Sequence, residues 1–196
     1  MFAPADRTCR QAHVFTNPGM YTIKLTVTDD DGGSATAETM VVVYDPDGGF
    51  ATSGAHLDSP AGSLTSDPQA SGRLNVQMNP MYKPGDTGPV PGGGRISTSL
   101  QGAGMVLEST ALSWLVITPD YKVAVKGVGT VNGASGYGFI VYGYDDPDRL
   151  RLVVWPLSAG ENPGSTKLYD NRAVGGWDLD VADPQPLSGG SLQVHQ

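Results

Sequence analysis

Three aspartate-rich turns carry the first recognisable chemistry in this sequence. Each of them places two or three aspartates close together among glycines or prolines. Calcium takes six to eight oxygen ligands, mostly carboxylates and backbone carbonyls, and turns of this composition supply both. Calcium binding is therefore predicted, but aspartate is also a common turn residue without any metal, and no EF-hand loop is present. The candidate ligands are Asp45, Asp47, Asp145, Asp146, Asp148, Asp178, Asp180 and Asp183.

A second group of residues has the types needed for acid–base catalysis. His56 and Asp58 are two positions apart in "SGAHLDSP", so a strand would put them on one face, where the carboxylate could orient the imidazole as a base. Glu108 lies in the apolar run "MVLESTALSW", a setting that favours the protonated acid of a glycosidase. The plain alternatives are a loop or edge histidine and an outward-facing strand glutamate. The candidate catalytic residues are His56, Asp58 and Glu108.

Aromatic residues suggest a third kind of site, a platform on which sugar rings stack. Tyr142 and Tyr144 fall on one face of a predicted strand, and Trp177 lies in a glycine-rich loop. Trp114 and Trp155 flank apolar runs and are predicted to lie in the core instead.

Several other functions are disfavoured by composition. The net charge of −8 leaves no basic stripe for nucleic-acid phosphates. The single cysteine, Cys9, excludes a disulfide within one chain, and with only three histidines a standard zinc site is not expected. No G-x-S-x-G hydrolase motif occurs, and no apolar run approaches the roughly 18 residues needed to span a bilayer.

The elements that must position these residues are predicted to be strands. The 196 residues include 27 glycines and 15 prolines, clustered between short runs in which apolar and polar residues alternate. No segment has a sustained helical period. Such a pattern predicts an all-β fold, an antiparallel β-sandwich or jelly roll. The predicted strands of the larger part are residues 73–79, 95–100, 104–110, 112–118, 121–131, 136–145, 149–155, 165–171 and 190–196.

An N-terminal β-hairpin precedes these strands. "YTIKLTVTD" alternates apolar and polar residues, "DDDGG" supplies a turn, and "SATAETMVVVY" returns as the partner strand. Two strands bury too little surface to be stable alone. We therefore expect the hairpin to pair with an edge of the remaining domain or with another chain, which would give a homodimer by strand exchange.

The hairpin resembles the C-terminal third of a polycystic kidney disease (PKD) repeat. The resemblance is carried by His13 and Phe15 before "NPG", by the Y-x-I-x-L-x-V-x-D strand and by the "DDDGG" turn. It implies an incomplete immunoglobulin-like repeat of the kind used as a spacer in secreted microbial and surface proteins, with a packing role for His13. Residues 1–12 do not resemble the missing strands and are interpreted as an irregular leader.

The chain from Asp45 onwards resembles the post-COAP type of domain, a β-rich unit found at the end of large secreted proteins. "GGFATSGAHLDSPAGS", "RLRLVVW", "KLYDN" and "GGSLQVH" carry the resemblance. The sequence departs from that pattern at Ala55–His56, where Gly-Trp is expected, and in "DLDVADPQPL". No single activity follows from it. The domains implied are a leader (1–12), a PKD-like hairpin (13–44) and a post-COAP-like β-sandwich (45–196).

These patterns favour a non-catalytic accessory or adhesion-type module of an exported bacterial protein. We expect it to be stabilised by calcium, to bind a glycan or a surface, and to act in an extracellular, cell-surface or periplasmic location, with its export signal upstream. The alternative is a small calcium-dependent hydrolase acting on an ester, a lactone or a glycoside, with its acids drawn from the aspartate turns or from His56 and Asp58.

Overall fold

A computed structural model describes residues 12–196, and its regular structure is almost entirely antiparallel strand. The all-β prediction is confirmed. Two three-residue 3₁₀ helices, Leu157–Ala159 and Leu179–Val181, are the helices of this part of the chain, and neither has the length or hydropathy to cross a membrane. The strands are β1 (Gly19–Thr28), β2 (Ser34–Val43), β3 (Phe50–Ser59), β4 (Gly72–Met78), β5 (Ile96–Leu100), β6 (Met105–Ile117), β7 (Lys122–Val131), β8 (Ala134–Tyr144), β9 (Arg149–Pro156), β10 (Tyr169–Asp170), β11 (Gln185–Pro186) and β12 (Gly189–His195).

The first two strands form the predicted hairpin as a separate sheet. β1 pairs with β2 in unbroken register from Gly19 opposite Val43 to Thr28 opposite Ser34. In the turn, the Oδ1 atom of Asp29 accepts a hydrogen bond from the Gly33 amide at 2.6 Å. Within residues 12–196 the hairpin pairs with no other strand, so the expected pairing with an edge of the larger sheet is not found. All but one of the predicted leader residues, 1–11, lie outside the described part of the chain.

All the other strands belong to one sheet, in the order β10-β9-β8-β7-β6-β5-β4-β3-β12, with β11 also paired to β9. The sheet curls because one segment, residues 185–195, pairs with β9 near one edge of the sheet and with β3 near the other. Gln185 in this segment lies opposite Leu150 of β9, whereas Gly189, four residues later, lies opposite His56 of β3. Opposite parts of the sheet therefore face each other across a common core, as the layers of a sandwich do.

Alternate side chains of these strands point inward and form the main core, which includes fully buried Leu57, Leu107, Phe139 and Leu152. Residues 50–59 are not among the strands predicted from the sequence, so β3 is a correction. They form a ten-residue strand whose inward positions are mostly the small residues Ala51, Ser53, Ala55 and Ser59. Small side chains weaken the apolar alternation that identifies a strand in a sequence.

Two other predicted elements differ from the structure. Residues 104–110 and 112–118, predicted as two strands, form the single strand β6, whose pairing with β7 shifts register between Ser109 and Ala111 and again between Leu112 and Trp114. These irregularities break the alternation and mimic a strand boundary. The predicted strand 165–171 is reduced to β10.

The hairpin packs on the outside of the curled sheet through its open end, where β1 begins and β2 ends. Met20 is 2% exposed and joins a second cluster on the outer face of β6–β9, with Met40 and Val42 against it. The opposite face of the hairpin carries the predicted apolar row, and this row points away from the sheet. Its side chains are 40% exposed at Ile23, 56% at Leu25 and 59% at Val27.

Aromatic contacts pack the segment before the hairpin against β1. The His13 ring meets Phe15 edge-on at a centroid distance of 4.6 Å, and Phe15 stacks on Tyr21 at the same distance. The Tyr21 hydroxyl donates to the Asn17 carbonyl at 2.9 Å. His13 thus has packing contacts, as its position in the PKD-like motif implies.

Candidate functional site

The aspartates of the turn between β8 and β9 hold the end of the sheet in place. The Oδ2 atom of Asp145 accepts a hydrogen bond from the Val194 amide at 2.8 Å, and Oδ1 of Asp148 accepts one from the Leu192 amide at 3.1 Å. Both donors belong to β12. The two carboxylates therefore connect this turn to the strand that closes the curl.

The other acidic turns are also engaged with the chain itself. Asp45 accepts a hydrogen bond from the Asp47 amide at 3.0 Å. Asp178 accepts one from the Thr22 hydroxyl of the hairpin, and Asp183 forms an ion pair with Arg172. Within residues 12–196, no three His, Cys, Asp or Glu side chains come together as a group able to hold a metal ion. Calcium binding stays a prediction.

A lysine bridges two carboxylates beside the hairpin. The Nζ atom of Lys122 lies 2.7 Å from Asp120 and 2.6 Å from Asp180. Partial burial lowers the pKa of Lys122, but the hydrogen bonds to Asp120 and Asp180 outweigh that effect and hold the pKa above its usual value. The chain therefore supplies the positive charge between these carboxylates, at the edge of a 290 Å³ cleft between the hairpin and the sheet.

The candidate catalytic residues do not form a common acid–base arrangement. His56 and Asp58 occupy outward positions of β3, but Nδ1 of His56 lies 3.0 Å from Nη2 of Arg73, and the Asp58 carboxylate accepts a hydrogen bond from the Ser188 hydroxyl at 2.7 Å. The carboxylate therefore does not orient the imidazole. Glu108 is exposed on the outer face of β6, outside the apolar setting that the sequence suggested. Their catalytic roles stay predictions without a supporting contact.

Of the predicted stacking platform, Tyr142 is closed to solvent, and Tyr144 and Trp177 are half-buried. Tyr142 is fully buried, its hydroxyl donates to the Trp177 carbonyl at 3.1 Å, and burial raises its pKa. The Tyr144 hydroxyl donates to the Leu179 carbonyl, and Trp177 is partly buried with the Arg151 guanidinium 5.3 Å from its ring centroid. These aromatics hold the loop at residues 172–184 against the outer face of the sheet. The loop covers Tyr142 in this structure, and the stacking role of the three aromatic residues stays a prediction.

The substitution Tyr142→Phe tests how much the hydrogen bond from the Tyr142 hydroxyl to the loop contributes to stability. It removes one buried hydrogen bond and keeps the ring, so we expect the free energy of unfolding to fall by about 1 kcal/mol. Chemical denaturation of both proteins measures the difference. Equal stabilities would contradict the hydrogen bond to the loop.

An ion pair that the sequence analysis missed lies at the centre of this outer cluster. Arg151 is fully buried and donates to both carboxylate oxygens of Asp170, from Nε at 3.0 Å and from Nη2 at 2.9 Å. Its Nη1 atom donates to the carbonyls of Gly176 and Ala182 in the covering loop. The guanidinium thus joins β9, β10 and the loop at one point. Its sequence signal was the arginine flanked by apolar residues in "RLRLVVW".

The environment of Asp170 stabilises its charged form. Burial raises the pKa of Asp170, but hydrogen bonds from Arg151 and Lys167 outweigh burial and hold the pKa below its ordinary value. The Lys167 ammonium lies 2.8 Å from the same carboxylate. Because the pair is nearly closed to solvent, it serves the architecture of the loop and is not accessible to a ligand.

The outer face of β3, β4 and β5 carries an open polar surface. Two adjoining hollows of about 370 and 340 Å³ lie on it and share Gly54 and Gln77. Gly54 has no atom within 4 Å of the place where a Cβ would stand, so the floor is open at that point. The other outward-facing lining residues are His56, Arg73, Asn75, Asn79, Arg95, Ser97 and Ser99. We call this surface the polar groove.

Comparison with known proteins gives one match. A family model described as "PKD domain" matches residues 5–43, which includes the hairpin. No curated protein and no solved structure matches the chain. The family match supports a PKD-like segment and an extracellular, adhesion-type β module, and it does not extend to residues 44–196.

Proposed function

We propose that this protein is a non-catalytic adhesion-type module of an exported bacterial protein, and that it binds a glycan or a glycan-bearing surface. The match of residues 5–43 to the PKD domain carries this proposal. Two features of the sheet add support. The candidate acid–base residues His56, Asp58 and Glu108 have no common geometry, and the polar groove offers hydrogen-bonding side chains on an open surface.

Retention by polysaccharides and turnover of model substrates together test this proposal. We expect the purified chain to be retarded in native gels that contain at least one soluble polysaccharide, and to hydrolyse none of a panel of esters, lactones and glycosides. Turnover that is lost in His56→Ala, with an unchanged melting temperature, would contradict it and support the hydrolase alternative.

Calcium stabilisation remains part of the proposal for the turn between β8 and β9, where Asp145, Asp146 and Asp148 fall within four residues. Thermal unfolding in EDTA and in calcium chloride tests it. A higher melting temperature with calcium supports a cation at this turn, and equal temperatures remove calcium from the proposal.

We also propose that two copies associate through the hairpin. Ile23, Leu25 and Val27 form an apolar row on its uncovered face, and both edges of the two-stranded sheet are unpaired within the described residues. Burying such rows against each other would complete a second small core.

Light scattering during size-exclusion chromatography measures this association. We expect a dimer for the wild type and a monomer for the double variant Leu25→Ser, Val27→Ser, because the variant loses most of its apolar contact area. Thr26→Ser, on the other face of β1, is the matched control and should stay dimeric. A monomeric wild type at high protein concentration would contradict the proposal.

A further inference from the structure

We infer that the polar groove is a binding site for an acidic polysaccharide, one whose sugars carry carboxylates. The inference rests on the proposed glycan-binding function and names the site and the ligand class. Apart from His56, no polar side chain of this surface belongs to a sequence motif, and the family match ends before it, because its residues come from three strands and the loop before β5.

The register of the strands arranges the groove in two rows. Gly54 lies opposite Gln77, and Gln77 lies opposite Ser97. In the neighbouring row His56 lies opposite Asn75, which lies opposite Ser99. Side chains at such positions share one face of a sheet, and neighbouring strands are about 4.8 Å apart, so each row spans about 10 Å across three strands. The rows therefore suit an extended chain of sugars more than a single one.

The chemistry of the rows matches hydroxyl groups. Amides and hydroxyls both donate and accept hydrogen bonds, as sugar hydroxyls do. Among residues 12–196, no Trp, Tyr or Phe lines either hollow, so the groove lacks the aromatic surface on which neutral sugars stack and the large aromatic anchors that are enriched in protein interfaces. Affinity must then come from charge-assisted hydrogen bonds, which are roughly twice as strong as neutral ones.

Two arginines supply that charge. Among the residues that line the two hollows, Arg73 and Arg95 carry positive charge and there is no carboxylate. Neither guanidinium forms an ion pair within residues 12–196, although the chain as a whole has a net charge of −8. Asp58 lies opposite Arg73 and Glu108 lies opposite Ser97 in the strand register, on the same side of the sheet but outside the lining of the two hollows.

Arg73 is already held in position for a ligand. Its Nε atom donates to Oδ1 of Asn75 at 2.9 Å, and Nη2 lies 3.0 Å from Nδ1 of His56. These contacts use two of the five guanidinium donors and limit the freedom of a long side chain, which lowers the entropic cost of binding a carboxylate.

Affinity electrophoresis in native gels tests the inference with polygalacturonate as the acidic polymer and dextran as the neutral one. We expect polygalacturonate to retard the wild type, and Arg73→Gln and Arg95→Gln each to weaken its binding about tenfold, the effect of losing one charge-assisted interaction. Arg73→Lys keeps the positive charge but loses the planar guanidinium that can donate two parallel hydrogen bonds to a carboxylate. Its affinity should lie between those of Arg73→Gln and the wild type. Lys24→Gln, on the hairpin, makes the same change of net charge and should bind as the wild type does.

Gly54→Val separates binding from folding. The valine side chain meets open space on an extended strand, so it should fill the floor of the groove without lowering the melting temperature. We expect it to abolish binding, while Gly164→Val, also in open space, should not. If dextran retards the wild type and Gly54→Val equally, the polar groove is not the binding site. The adhesion proposal would then still hold. A wild type that neither polymer retards would overturn the acidic-polysaccharide site, and retardation by none of a wider panel of polysaccharides would overturn the glycan-binding proposal as well.

Discussion

Replacing Asp170 with asparagine is expected to lower the free energy of unfolding by about 3–5 kcal/mol, because it leaves the fully buried Arg151 guanidinium without a counter-charge. The mutant should also release the loop at residues 172–184, whose carbonyls at Gly176 and Ala182 accept hydrogen bonds from the same arginine. Urea denaturation measures the loss of stability, and hydrogen exchange of the loop amides measures its release.

Asp183→Asn is the matched control for this experiment. It also removes a carboxylate from an ion pair with an arginine, Arg172, but this pair is partly exposed, and exposed pairs are worth about 1 kcal/mol or less. Asparagine also tolerates the positive φ of 48° at this position. Equal losses in the two variants would contradict the special role of the buried pair.

The effect of Asp170→Asn should depend on pH. The pKa of Asp170 in the folded protein lies below its ordinary value, so the carboxylate contributes stability above the unfolded-state pKa of about 4 and loses that contribution as the pH falls through the folded-state pKa. The difference between wild type and variant should be largest near neutral pH and shrink in strong acid. A difference that stays constant down to pH values well below 3 would contradict this account.

Met20→Ala is expected to detach the hairpin without unfolding the curled sheet. Met20 is 2% exposed among Val116, Ile140 and Tyr142, and truncating a buried methionine costs about 2 kcal/mol or more. Because the hairpin shares no strand pairing with the large sheet within residues 12–196, the cost should appear as faster hydrogen exchange in β1 and β2, with little change in the main thermal transition.

Leu25→Ala is the control for this change, since it removes apolar atoms from a hairpin position that is 56% exposed and faces away from the sheet. When both proteins are monomeric, hydrogen exchange of the β1 and β2 amides should be nearly the same in Leu25→Ala as in the wild type. Unchanged protection in Met20→Ala would show that the hairpin does not depend on this contact.

The strands of the fold could be predicted wherever inward residues are large. β7, β8 and β9 carry valine, isoleucine, leucine and aromatic side chains, and each lies close to its predicted position. β3 was missed because its inward positions are mainly alanine and serine, which give no apolar alternation.

The candidate site could be predicted much less well, and the reason is the covering loop. Alternation correctly puts Tyr142 and Tyr144 on one face of β8, and "RLRLVVW" puts Arg151 on an outward face, but it cannot say which outward face another segment will cover. The loop at residues 172–184 buries these positions, whereas no comparable segment in the described part of the chain covers His56, Arg73 and Asn75. Alternation in a sequence shows which residues share a face of a strand. Whether that face is exposed to solvent depends on which distant segment of the chain packs on it.

The shared segment at residues 185–195 also has a consequence for how the chain reaches its native state. Ser191 in this segment accepts a hydrogen bond from Ser53, 138 residues earlier, so closure of the curl depends on contacts between residues far apart in the sequence. Contacts of this kind slow refolding, to roughly milliseconds to seconds in all-β proteins. During that interval β3 presents an unpaired edge to neighbouring molecules, so we expect misassembly to increase with protein concentration during synthesis.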